Sequence, residues 1–207
     1  MSRALLLFIL PCATLLANLP APGRSYLGTR EPLALAALPA APALAPASEL
    51  DRVRAAAGNG DLEAQARLGG MYYWGQGAPM DWAQAQVWLR KAAERGSASA
   101  QAKLGAMCFL GQGAPQDPVE AVKWFRRAAE QGEAYAQGCM GVMYAVGLSP
   151  SVPRDLVQAY VWLAQAEAGG DTDASAPLEQ VRNNLTPAQL QEAQRRAGQA
   201  VRSRSGN

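Results

Sequence analysis

The chain has 207 residues, 49% of them hydrophobic, with 19 Lys and Arg against 17 Asp and Glu. A net charge of +2 is too small to single out nucleic acid or a membrane surface as partner. Histidine is absent, and Cys12, Cys108 and Cys139 show no CxxC spacing; this removes the commonest zinc ligand, the commonest general base and every Ser-His or Cys-His nucleophile pair.

Residues 1–23 read as a secretory signal. Arg3 supplies a basic start, and Ala4 to Leu19 carries no charge and is interrupted by Pro11. Those sixteen residues fall short of the ~20 a membrane span needs. Ala21-Pro22-Gly23 places small residues for cleavage before Arg24, and an uncleaved leader would instead tether the chain. Residues 24–47 form a linker of Ala, Leu and Pro, in which the prolines prevent a long helix.

Order is expected from Ser48. Ser48 can cap a helix to about Ala57, ended by Gly58, so that 48–60 forms an N-terminal cap. From there the sequence repeats every 36 residues. Gly60, Gly96 and Gly132 are in step, as are Trp88 and Trp124, and Gly75, Gly111 and Gly147. Such a period marks a solenoid whose units bury their apolar faces on one another. In residues 61–96, Asp61 caps a first helix carrying Ala64, Leu68, Met71 and Tyr72, which Gly75 and Gly77 stop. Asp81 caps a second, with Ala85, Trp88, Leu89, Ala92 and Ala93 on one stripe. Residues 97–132 and 133–170 repeat the plan, the third unit with two extra loop residues, so that Trp124 and Trp162 are 38 apart. Residues 171–207 read as a C-terminal cap. They hold a helix over 172–184, then a helix opened by the capping box Thr186-Pro187-Ala188-Gln189 and running to about Val201.

The pattern Ala-x-x-x-Leu-Gly-x-x-Tyr-x-x-Gly-x-Gly, then Asp-x-x-x-Ala-x-x-Trp and Ala-Ala-x-x-Gly, resembles the Sel-1-like repeat, a relative of the tetratricopeptide repeat. Ala64, Leu68, Gly69, Tyr72, Gly75, Gly77, Asp81, Ala85, Trp88, Ala92, Ala93 and Gly96 carry it. The second copy puts Cys108 in the tyrosine place; the third has Met140 for Leu. The resemblance implies an all-α right-handed superhelix of helix pairs acting as an adaptor for protein complexes. Some secreted bacterial members are cysteine-rich and act on β-lactams, with a disulfide in each repeat. Here no unit holds a cysteine pair, so that activity is not expected. Cys108 and Cys139 lie on neighbouring first helices, offset by about 7 Å of helical rise, which is awkward for a bridge.

The Gly-Gln-Gly loops follow helices rather than precede them, so they end helices and do not cradle phosphate. The repeated aspartates read as caps and the tryptophans as packing between units. The candidate partner-binding residues sit on another face of the first helices: Arg67 and Lys103, Tyr73 and Phe109, and Trp74, expected to form rows along the concave side. The expected function is non-catalytic binding of another protein or peptide, with no cofactor, no metal and no nucleic acid, by an exported and periplasmic protein. The alternatives are a membrane-tethered regulator of an envelope pathway and a cell-wall or β-lactam hydrolase.

Overall fold

A computed structural model describes residues 48–205; the expected signal and linker at 1–47 lie outside the described residues. The described residues form nine α-helices and no strand: α1 (Glu49–Gly58), α2 (Leu62–Trp74), α3 (Trp82–Glu94), α4 (Ala98–Leu110), α5 (Pro118–Glu130), α6 (Ala134–Val146), α7 (Leu156–Ala168), α8 (Ser175–Asn183) and α9 (Pro187–Ser205). Each helix packs on the next from α1 to α8, and α9 returns to pack on α7. The result is the expected all-α solenoid, with pairs α2–α3, α4–α5 and α6–α7 between helical caps. None of the described helices is long and apolar enough to cross a membrane.

Local chemistry explains the boundaries. The side chains of Asp81, Asp117 and Asp155 each accept a backbone N–H in the first turn of α3, α5 and α7. Ser97 and Glu133 do the same for α4 and α6. Gly75 adopts φ 67° at the end of α2, a left-handed position that a Cβ disfavours. The ends of the chain differ from expectation by a few residues. α1 runs through Gly58, and its terminating positive φ falls at Gly60. The C-terminal helix continues past Val201 to Ser205, because its Ala-, Arg- and Gln-rich sequence offers nothing to stop it. A short 3-10 turn at Thr172–Ala174 precedes α8, so the helix expected over 172–184 is split.

Helix pairs meet through glycine. A β-carbon on Gly69 would stand 2.6 Å from Leu89 Cγ, and one on Gly141 would stand 2.5 Å from Leu163 Cγ. Leu89 and Leu163 are both fully buried. Phe125 takes the equivalent place against Gly105. Trp124 is buried, whereas Trp88 and Trp162 are half-buried against the core. The extra loop residues of the third unit fold into a turn closed between Ser149 and Val152, with Val152 fully buried.

Polar side chains join the units. Gln65, Gln101 and Gln137, one period apart, are buried, and each side-chain amide donates to a backbone carbonyl at the end of the preceding helix: Ala57 at 3.1 Å, Ala93 at 2.9 Å and Ala129 at 3.1 Å. Arg95 then donates to Gln65 Oε1 at 3.0 Å, and Gln131 to Gln101 Oε1 at 2.7 Å. Cys108 and Cys139 are both buried and are not joined by a disulfide.

Candidate interaction groove

α2 has two working faces. Leu68, Gly69, Tyr72 and Tyr73 lie on the face that packs into the core. Glu63, Arg67, Gly70 and Trp74 follow one another at steps of four, three and four residues, and so share a second stripe. That stripe and the corresponding face of α4 line an open groove of about 580 Å³. Arg67, Trp74 and Lys103, three of the five candidate residues, line it.

The other two candidates are corrected. Tyr73 is 8% exposed and belongs to the core cluster; Phe109 is half-buried and packs against it. Neither lines the groove. The reason is angular: Tyr73 follows Gly69 by four residues and Phe109 follows Gly105 by four, so both fall on the stripe that meets the paired helix. Tyr73 still shapes the site from behind. Its ring meets Trp74 edge-on, with centroids 4.6 Å apart, and supports an indole that remains 42% exposed. Burial pushes the Tyr73 hydroxyl above its usual pKa, partly offset by the side chain of Gln112.

The cations are placed differently. Arg67 is ion-paired with Glu49 of α1, and both side chains are largely exposed. Lys103 reaches from α4 towards α2: a β-carbon on Gly70 would lie 4.0 Å from Lys103 Cε. Its ammonium donates to the Ser99 carbonyl at 3.4 Å. Burial lowers the Lys103 pKa, and the charge of Glu133 opposes that shift. Met71 adds apolar surface, and Glu49, Glu63 and Ser99 line the groove as well. Glu49 was not visible as a site residue in the sequence. Its link to Arg67 spans 18 residues, half the repeat, as does the bond from Arg54 to the Tyr72 hydroxyl. No group of three or more Cys, Asp or Glu able to hold a metal ion occurs among the described residues.

A family model described as the Sel1 repeat matches residues 62–97, 98–133 and 134–171. The chain belongs to the Sel1 repeat family. Solved Sel1-type structures share the fold of this Sel1 repeat protein. A Sel1 repeat protein from Oxalobacter formigenes is 35% identical with a TM-score of 0.57, over 65% of this chain and 99% of its own. A protective antigen present in uropathogenic Escherichia coli strains, displaying an SLR fold, is 30% identical with a TM-score of 0.62 over 73% of this chain. The match takes in 33% of that antigen, so this Sel1 repeat protein spans about a third of its length. No curated protein matches the sequence.

Proposed function

We propose that this Sel1 repeat protein is a non-catalytic adaptor that holds a segment of another protein in the α2–α4 groove, and that it works in the periplasm after export. The observation that carries this reading is the convergence of Arg67, Trp74 and Lys103 on one open surface. A 42% exposed tryptophan on the same surface as two cations offers apolar contact and charge pairing together. Export rests on the basic, then apolar, leader at 1–23. If that leader stays uncleaved, the same adaptor is tethered to the inner membrane. The reading as a binder also draws on the Ser99 hydroxyl, which hydrogen-bonds to the Ser97 hydroxyl at 3.4 Å, while the nearby Lys103 donates to the Ser99 carbonyl and not to that hydroxyl.

The test is affinity capture from the native host's envelope with in-cell crosslinking, comparing wild type with a triple variant Arg67→Ala, Trp74→Ala and Lys103→Ala. All three substitutions leave the buried core intact. A partner crosslinked to α2 or α4 and lost in the variant supports the reading. A partner retained by the variant moves the site elsewhere, and no partner above background rejects the adaptor function.

A further inference from the structure

The two cations of the groove stand in different states. Arg67 already carries a carboxylate, supplied by Glu49 from the start of α1. Among the described residues no carboxylate oxygen lies within 4.0 Å of the Lys103 ammonium, whose one hydrogen bond runs to the Ser99 carbonyl. Its stem passes over Gly70, which lies between Arg67 and Trp74 on the α2 stripe. The charge of Glu133 acts on this ammonium only from beyond ion-pairing distance, and a half-buried ammonium with no carboxylate in contact is an unfavourable arrangement that an incoming carboxylate would relieve.

The site's own chain shows what fits. Glu49 places a side-chain carboxylate on Arg67, and it is followed directly by an apolar residue, Leu50. The rim also excludes: Glu49 and Glu63 border the cations, so a continuous polyanion such as a nucleic-acid backbone would meet like charge. A peptide with discrete acidic side chains meets each cation singly.

We propose that the groove takes an acidic peptide segment of a partner protein, with one Asp or Glu carboxylate on Lys103, a second displacing Glu49 from Arg67, and an apolar side chain between them on Trp74 and Met71. The proposal rests on the groove being the interaction site and names the chemistry of its occupant. Glu49 then acts as a latch that any ligand must displace.

The experiment titrates the full chain with the N-acetylated, C-amidated peptide Gly-Glu-Leu-Glu-Gly and follows backbone and indole NMR shifts. Side chains are then the peptide's only carboxylates. The Gly-Gln-Leu-Gln-Gly peptide is the control. The Glu peptide is expected to shift Gly70, Trp74, Ser99 and Lys103, and the Gln peptide to leave them still. Lys103→Met keeps the apolar stem and is expected to weaken binding about three- to tenfold; Arg67→Met, on an exposed side chain, should act in the same direction and covers a folding failure of the first variant. Glu49→Gln is expected to tighten binding by up to about fivefold. No shift from the Glu peptide overturns the proposal, as does binding indifferent to both Lys103→Met and Arg67→Met. Equal binding of the Gln peptide in the groove overturns the acidic occupant and leaves the groove reading standing. A captured partner that ignores every groove substitution overturns both.

Discussion

Gln101 donates its side-chain amide to the Ala93 carbonyl at 2.9 Å and accepts from Gln131 at 2.7 Å, so one buried side chain ties the end of the first helix pair to both ends of the second. Removing this side chain takes one of two donors from the Ala93 carbonyl, which keeps the Gly96 N–H at 3.0 Å, and leaves a gap between units. Gln101→Ala is expected to destabilise the protein by about 2–3 kcal/mol. Gln116→Ala removes an exposed donor to the Phe109 carbonyl and should cost about 1 kcal/mol or less. Urea unfolding of both variants, read by tryptophan fluorescence, checks the order; equal effects would mean that the buried glutamines do not join the units.

Gly69 and Gly58 make opposite predictions for one substitution. Alanine at Gly69 would drive a methyl to 2.6 Å from Leu89 Cγ, and to 3.0 Å from the Leu89 backbone nitrogen. Overpacking of this kind costs about 1–3 kcal/mol, more than the ~1 kcal/mol that alanine gains in helix propensity. Gly58 ends α1 with nothing within 4 Å of a built β-carbon. Gly58→Ala is therefore expected to stabilise by about 0.5–1 kcal/mol. Thermal melts of the two variants should move in opposite directions.

Tyr73 and Trp74 are neighbours in sequence with opposite fates. Tyr73 is 8% exposed and Trp74 42% exposed. Tyr73→Ala opens a cavity and should cost about 3 kcal/mol or more, whereas Trp74→Ala loses an exposed edge contact worth about 1 kcal/mol. Chemical denaturation gives both values. A large loss from Trp74→Ala would mean that the indole is packing and not a binding surface.

The repeat itself was readable because glycine, Leu-Gly and aspartate caps recur at positions that physics constrains tightly. Leu68 and Gly69 mark a helix contact, and Asp81 and Gly75 mark ends. Gln65, Gln101 and Gln137 recur at the same period, yet a glutamine reads as surface until the carbonyl it meets, eight residues upstream on another helix, is known. Tyr73 and Phe109 fall outside the groove because an apolar stripe wide enough to meet both the paired helix and the next unit takes in more positions than one row of a helical wheel. The groove was half visible: Arg67 and Lys103 align by period and Gly70 shares the stripe of Arg67 by helical spacing, whereas Glu49 joins them only through helix packing.

Glu133 links the stability of the third unit to pH. Burial raises its carboxyl above the ordinary 4.5, against the pull of the Ala136 N–H and of Lys103, while the charge of Asp171 raises it further. The folded state therefore binds this proton more tightly than the unfolded state, so stability falls as pH rises from about 4.5 through the raised value, and the loss persists above it. Asp171 shifts in the same direction, also through burial. Half-buried Glu192 shifts oppositely, held down to about 2 by Arg195 and Arg196, so its contribution is present above 4.5 and lost as pH falls towards 2. Comparing wild type with Glu133→Gln, which keeps an oxygen for Ala136, isolates the one group. The stability of wild type relative to the variant is expected to be greatest near pH 4.5 and to decline towards pH 7. Urea midpoints at three pH values across that range measure it. A difference that stays flat or grows with pH would show that the Glu133 carboxylate is well solvated in the folded protein and that Lys103 has a closer counter-charge than the groove geometry provides.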